Sequence, residues 1–390
     1  MISFEKALEI VLENAFPEGY ERVSLDQSLH RVLGEEVTAD RDMPPFHKSA
    51  VDGYACIDPK DGQELKVLEQ IAAGHAPGKA LQPGTCSKVM TGAEVPGNTT
   101  HVVMVEQTQE MDDQNVKLLE PGSKSNIASR GEDFQKGDPV MAAGTYLQPQ
   151  HIAILAGVGH TRPLVAERPA VKLITTGNEL VEPDQQPSAS QIRNTNAPQL
   201  IAQFKQVGIS PHYSGIIGDS ANDLLREIES GVAHHHLTVL TGGVSMGDYD
   251  YVPDMMINAG VEILFHKIAM KPGKPTIFGR KGDNLIIGLP GNPVSTFLQF
   301  ELLIKPLLYK MMGGQYNPSS LKMSLGEEIK QKKSDRDSWK PVHFEQGLVH
   351  PVYYHGSGHI HALLQAEGFI CLPAGETQLK KGATVDVRQV

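Results

Sequence analysis

The chain has 390 residues, of which 40% are hydrophobic and 21% charged, an ordinary globular mix with enough apolar mass for two or more cores. Its formal charge of −11 excludes a protein built for nonspecific adhesion to nucleic acid or an anionic membrane, since both reward a basic surface. Cys56, Cys86 and Cys371 are widely spaced without a C-x-x-C pair, and no apolar run approaches the ~20 residues of a membrane span. These features predict reduced thiols in a cytoplasmic protein, with no disulfide framework and no zinc knuckle.

Residues 3–15 predict a helix, capped by Ser3, with Phe4, Ala7, Leu8, Val11 and Leu12 on one face. Its three glutamates set it apart from a signal or transit peptide. A second short helix is expected near 26–33. From about 40 to 145 the pattern changes to short strands between Pro/Gly turns: ELKVLEQI, CSKVMTG, HVVMVEQT and NVKLLEP. Residues 148–158 return to helix, which suggests an N-terminal helical unit with a β domain inserted into it.

Residues 169–312 alternate strands with amphipathic helices, the pattern of a doubly wound, largely parallel sheet. VKLITTG, HYSGIIGD, LTVLTGG and NLIIGLPGNP read as strands, and PTIFGRKGDNLIIG as a hairpin turning at KGDN. VSTFLQFELLIKPLLYKM reads as one long helix. Residues 313–390 return to short strands, a small C-terminal β domain.

In an open α/β sheet, ligands bind outside the carboxyl ends of the strands. Four unusual loops follow expected strands there: TTGNEL (Thr175 to Leu180), GIIGD (to Asp219), TGGVSMGDYDYV (Thr241 to Val252) and GLPGNPVS (Gly288 to Ser295). Their glycines expose backbone N–H groups that can cradle phosphate, and Ser295 is expected to open a helix whose N-terminus favours an anion. Glu179, Asp219, Asp248 and Asp250 can hold a divalent cation or accept hydrogen bonds from a heterocycle. The segment from His266 to Pro275 adds Lys267, Lys271 and Lys274, stiffened by Pro272 and Pro275 and suited to compact oxyanions.

The β-rich stretch has its own set. Asp52-Gly53 sits in a turn, Thr91-Gly92 follows a strand, and Arg130, Glu132, Asp133 and Lys136 crowd one segment. His234-His235-His236 reads as a solvated connector, and Trp339 as packing.

Taken in order, SAVDGYA, VMTGA, RGED, TTGNEL, TGGVSMGDYDY, AMKPGKP and GLPGNPVS resemble the molybdopterin molybdenumtransferase family, the MoeA-type relatives of the gephyrin E domain. The resemblance implies a multidomain α/β plus β fold with four domains. These are a discontinuous helical domain (1–40 and 138–168), an inserted β-rich domain (41–137), a Mog-like molybdopterin-binding α/β domain (169–312) and a C-terminal β domain (313–390). It implies a homodimer whose cleft joins the α/β domain of one subunit to the β domain of the other. It implies a Mg²⁺-dependent reaction in which adenylylated molybdopterin and molybdate give molybdenum cofactor and AMP, with the adenylyltransferase as a further partner.

By motif match, Asp52, Thr91 and Asp133 come from the β domain, and Glu179, Asp219, Asp250, Lys267 and Lys271 from the α/β domain, all as catalytic candidates. Gly242, Gly243, Ser245, Lys274, Pro290, Gly291, Asn292, Pro293, Ser295 and Ser357 are the substrate-binding candidates, and Asp219, Asp250 and Glu179 the candidate Mg²⁺ ligands. One region departs from the family. Where a G-R-x-E/D-F-x-R stretch is usual, this chain has Lys340-Pro341-Val342-His343-Phe344-Glu345-Gln346, without either arginine. Lys340 or Arg336 is the available replacement charge.

Overall fold

Ser3 caps the first helix, α1 (Phe4–Glu13), by accepting the Lys6 N–H at 3.2 Å. Its buried face, Phe4, Ala7 and Val11, joins the core of the α/β region. The second expected helix stops after one turn, Leu25–Ser28. Burial of Arg31 explains this. Its guanidinium donates to the Ala166 carbonyl at 2.7 Å and to Glu21 Oε1 at 2.5 Å, and His30 takes a positive φ of 61°. The tertiary hydrogen bonds of Arg31 thus override local helical preference.

The computed structural model describes residues 1–244, 251–353 and 356–390. They form two compact units: Met1–Glu35 with Gly144–Pro149 and Arg162–Val390, and Glu36–Ala143 with Gln150–Thr161.

The second unit carries a six-stranded sheet of β1 (Gly53–Cys56), β2 (Glu64–Ile71), β3 (Thr85–Val89), β4 (His101–Met104), β5 (Thr108–Asp112) and β6 (Asn115–Leu118). The order is β4-β1-β3-β2-β6-β5, antiparallel except for β2 beside β3. Successive residues feed opposite faces: Tyr54, Cys56 and Val103 enter one cluster, Ala55 and Val102 the other. Strands β1 and β5 escape sequence reading. GYAC is buried throughout and shows no alternation, and TQEMD is almost wholly exposed. The helix α2 (Pro149–Gly157) forms where expected.

The first unit holds the doubly wound sheet. Its strands and helices are β7 (Val171–Thr176), α3 (Asn196–Gln206), β8 (His212–Ile217), α4 (Ala221–His234), β9 (Leu237–Thr241), α5 (Val252–Asn258), β10 (Glu262–His266), β11 (Met270–Lys271), β12 (Ile277–Lys281), β13 (Asn284–Leu289) and α6 (Pro293–Gln299). The sheet order is β8-β7-β9-β13-β12-β10; the first four strands are parallel, and β12 runs antiparallel to both its neighbours, β13 and β10. Lys281 pairs with Asn284, so the hairpin turns at Gly282-Asp283 as expected. Alternation sorts the core. Leu173, Val239 and Ile287 pack under α3 and α1, while Ile174, Leu240 and Ile286 pack under α4 and α5.

The long helix after β13 is interrupted. Between α6 and α7 (Lys305–Met311) the stretch Phe300–Ile304 is a π-helix. Pro306 lacks the N–H that an α-helix needs there, and the wider turn accommodates it. Within the π stretch Glu301 is 3% exposed and neutralised, accepting from Lys305 Nζ at 2.8 Å and Gln203 Nε2 at 2.9 Å.

The C-terminal sheet contains β14 (Ser320–Ser324), β15 (Asp337–Glu345), β16 (Leu348–Pro351), β17 (Gly368–Leu372) and β18 (Thr384–Gln389). Strand β11, from the lysine segment, pairs parallel with β15, Met270 opposite Asp337 and Lys271 opposite Ser338. Trp339 packs edge-to-face on Phe4, with ring centroids 6.0 Å apart.

Candidate active site

A cavity of about 840 Å³ opens at the carboxyl edge of the parallel strands. It is lined by Thr176, Gly177 and Glu179 after β7, Asp219 after β8, Thr241 to Val244 from the end of β9, and Pro290 to Pro293 after β13. All four loops expected to gather at one edge therefore contribute. Ser245, Asp248 and Asp250, in the third loop, lie outside the described residues.

Glycine is required for this approach. Gly177, Gly242 and Gly243 have φ of +145°, +99° and +62°, and a Cβ on Gly242 would fall 2.4 Å from the Thr176 carbonyl oxygen. Backbone N–H groups and side-chain amides then tie the loops together. The Asn178 N–H donates to Asp219 Oδ2 at 3.2 Å, and the Asp219 N–H donates to Asn178 Oδ1 at 3.1 Å. Asn196 donates to Thr241 Oγ1 and the Gly291 carbonyl, both at 2.8 Å, while its own Oδ1 is buried with no partner among the described residues.

Helix α6 starts at Pro293 with Asn292 at its N-cap position, earlier than expected. Ser295 is consequently inside the helix, only 2% exposed, and does not line the cavity. Asn292 instead reaches the C-terminal region: its Nδ2 donates to Ser357 Oγ at 2.8 Å, and Val294 N donates to the Ser357 carbonyl at 3.2 Å. These bonds fix a turn that brings Gly358 and Ile360 to the cavity wall. His355 lies outside the described residues.

The lysine segment borders the cavity through Pro275; Lys267, Lys271 and Lys274 are not among its lining residues. It is held from several sides. Lys267 N donates to the Thr276 carbonyl at 2.8 Å, Ile268 N to the Lys274 carbonyl at 3.0 Å, and buried Gln299 donates to the Gly273 carbonyl at 2.6 Å. Lys340 stands beside it. Burial, and then the charge on Lys271, hold the Lys340 ammonium below the usual lysine range. Pro341 and Gln346, at the missing arginines, are respectively buried in β15 and in a turn with φ +50°.

The β-rich unit assembles its own group. Asp52 Oδ1 accepts the Thr91 N–H at 2.6 Å and the Thr91 hydroxyl at 2.7 Å, and these bonds hold its carboxyl below the usual range. Asp42, unforeseen in the sequence, accepts from Lys136 N at 2.8 Å and Arg130 Nε at 2.6 Å. The Asp133 side chain is exposed, with its N–H on the Met43 carbonyl at 3.0 Å. The short strand Lys48–Ser49 joins these loops: Gly92 N donates to the Ser49 carbonyl, and Lys48 pairs with Ala128.

Known proteins match this layout. Residues 2–159 match the family model for the MoeA N-terminal region (domain I and II), 172–310 the model named "probable molybdopterin binding domain", and 322–390 the MoeA C-terminal region (domain IV). A molybdopterin molybdenumtransferase of Staphylococcus epidermidis is 32% identical, over 99% of this chain and 95% of that protein. One from Bacillus subtilis is 33% identical, over 94% and 89%. The chain belongs to the molybdopterin molybdenumtransferase (MoeA) family. A crystal structure of a molybdopterin biosynthesis MoeA protein from Pyrococcus horikoshii OT3 superposes with a TM-score of 0.84 at 28% identity, covering 100% of both chains.

Within this MoeA fold, the cavity gathers Glu179, Asp219, Gly242, Gly243, Pro290, Gly291, Asn292 and Pro293 from the sequence-based set. Sequence reading passed over Asn196 and the lining from Gln191 to Thr195, and over Asn178, which ties two of the loops together without lining the cavity. The polar run Gln191-Ile192-Arg193-Asn194-Thr195-Asn196 carried a signal, an Asn-rich stretch directly before a helix.

Proposed function

We propose that the chain inserts molybdate into adenylylated molybdopterin and releases AMP, at the cavity on the sheet's carboxyl edge. The observation that carries this reading is the cavity's composition. Left-handed glycines, two carboxylates and an orphan amide oxygen share one wall system beside a pinned lysine segment. Cleaving a phosphoanhydride is largely a matter of positioning and charge neutralisation. The Gly242-Gly243 backbone, with Ser245, seats substrate phosphate. Lys271 and Lys274, assisted by Lys267, bind molybdate or phosphate oxygens, and Asn292 holds Ser357 toward the same rim. The metal ends on the soft sulfurs of the pterin rather than on a protein thiol.

Magnesium is held by one or two carboxylates together with substrate phosphates and water. Glu179 and Asp219 suit that role, since both line the cavity and offer hard oxygen donors. Among the described residues no group of three or more His, Cys, Asp or Glu forms a self-sufficient metal cage, so phosphate oxygens would complete the set. Bound there, Mg²⁺ supplies charge neutralisation to the anhydride. A homodimer, supply of substrate by the adenylyltransferase, and a cytoplasmic location belong to the same reading and rest on the family. No helix among the described residues is long and apolar enough to cross a membrane.

The test is AMP release from adenylylated molybdopterin by Lys271→Ala and Asp250→Ala. Each substitution is expected to lower kcat/KM at least about tenfold, the loss of a charge-assisted contact. Undiminished turnover in both variants overturns the assignment.

A further inference from the structure

The cavity must accept an anion, yet the charged side chains Glu179 and Asp219 on its wall are negative, as is the protein as a whole. Among the described residues that line it, Arg193 is the only lysine or arginine. Its strand, Ile192–Arg193, is anchored beside Leu180–Val181, with Ile192 N donating to the Glu179 carbonyl at 2.7 Å and Asn194 N to the Val181 carbonyl at 2.8 Å. The side chain is also held. Nε donates to the Gln185 carbonyl and Nη2 to Gln186 Oε1, each at 3.2 Å. Those bonds use two of the five guanidinium N–H groups and leave the rest for a ligand.

The same cavity carries a second feature. Ile192 and Ile360 both line this polar cavity and are 59% and 42% exposed. Each is fixed by backbone: Ile192 by its strand, Ile360 by the turn whose Ser357 is bonded to Asn292 and Val294. Singly exposed isoleucines are ordinary. Two lining one cavity together with a held guanidinium give that cavity apolar contacts and a cationic one, the groups that a flat heterocycle carrying a phosphate needs.

We propose that Arg193, Ile192 and Ile360 form a binding subsite for a phosphorylated flat heterocycle, Arg193 taking the phosphate and the isoleucines the ring. The inference rests on the function proposed above, whose substrate has such a group at each end, an adenosine phosphate and a pterin phosphate.

Binding of AMP, adenosine and neopterin monophosphate to the full chain is measured by titration calorimetry, for wild type, Arg193→Gln, Arg193→Lys and the pair Ile192→Ala/Ile360→Ala. Arg193→Gln should weaken a phosphorylated ligand about tenfold or more, leave adenosine unchanged, and be partly restored by Arg193→Lys. The double alanine variant should weaken adenosine and the phosphorylated ligand alike. A loss seen with AMP assigns the nucleotide end, and one seen with neopterin monophosphate the pterin end. Loss with neither overturns the subsite, as does an equal fall in adenosine and AMP binding in Arg193→Gln, which marks a structural role. Wild-type AMP release is followed in parallel. Its absence defeats the broader function, whereas normal turnover with unchanged ligand affinity in Arg193→Gln defeats the subsite alone.

Discussion

Gly242 shows how a single residue decides the shape of the cavity. Its φ of +99° is open to glycine and costly to other residues, and the Thr176 carbonyl occupies the space a Cβ would need. Gly242→Ala should therefore lose about 1–3 kcal/mol of stability to backbone strain. Because that carbonyl is backbone, relief requires the β7 and β9 loops to part, and activity should fall further than the stability loss accounts for. Urea denaturation beside single-turnover kinetics separates the two effects. At Asp52 the logic is electrostatic: two donors from Thr91 keep the carboxylate charged and orient it outward.

At the scale of elements, the lysine segment is pinned from beneath as well as stiffened by its prolines. Gln299, fully buried in α6, donates to the Gly273 carbonyl at 2.6 Å and accepts from Thr276 Oγ1 at 2.6 Å. Strand β11 is meanwhile stitched to β15. Gln299→Glu keeps the size but removes the donor and sets a carboxylate oxygen against a carbonyl. It should cost about 1–3 kcal/mol, more if the carboxylate stays ionised. By loosening the segment it should also raise the KM for molybdate, read from steady-state kinetics with stability measured in parallel. Lys340 gains meaning at this scale too. It comes beside Lys271 because β11 adds to the C-terminal sheet, so a charge close to the absent arginines persists next to the lysines.

At the scale of the whole molecule, acid stability follows from carboxylates held below their ordinary values of 3.8 and 4.5. Asp42 is held there chiefly by the Lys136 N–H, Asp52 by the Thr91 N–H, Asp223 by the Ser220 hydroxyl and Glu110 by Lys88. A carboxyl whose folded pKa lies below its unfolded one binds protons more readily in the unfolded chain. Its stabilisation is complete above the unfolded value and is lost as pH falls through the folded one. His235 acts in the same direction at higher pH. Burial, then the charge on Lys172, keeps its imidazole below the ordinary 6.5, so the unfolded chain takes up its proton first. Melting temperature should thus begin to decline below about pH 6.5 and fall steeply below about pH 4.5. His235→Gln should remove the shallow part and leave the steep one, as seen by circular dichroism melts across the pH range.

The sequence by itself determined the elements whose signals are local. These include the Ser3-capped helix, the buried parallel strands VKLITT and LTVLT, the hairpin turning at Gly282-Asp283, and the glycine loops with their carboxylates. Periodicity, capping and positive-φ glycines act over a few residues and can be read there. Family membership was legible for the same reason, in ordered short motifs. Only the tertiary structure decided what depends on distant partners. Arg31, drawn inward to Ala166, ends the second helix after one turn. Asn292 rather than Ser295 opens α6, which buries a serine that looked available. Arg193 and Asn196 become cavity residues because pairing of Ile192–Arg193 with nearby Leu180–Val181, and the bonds of the Asn196 amide to distant Thr241 and Gly291, fold their loop onto the sheet edge. Such contacts are made between residues from a dozen to more than a hundred positions apart, where no short-range pattern records them.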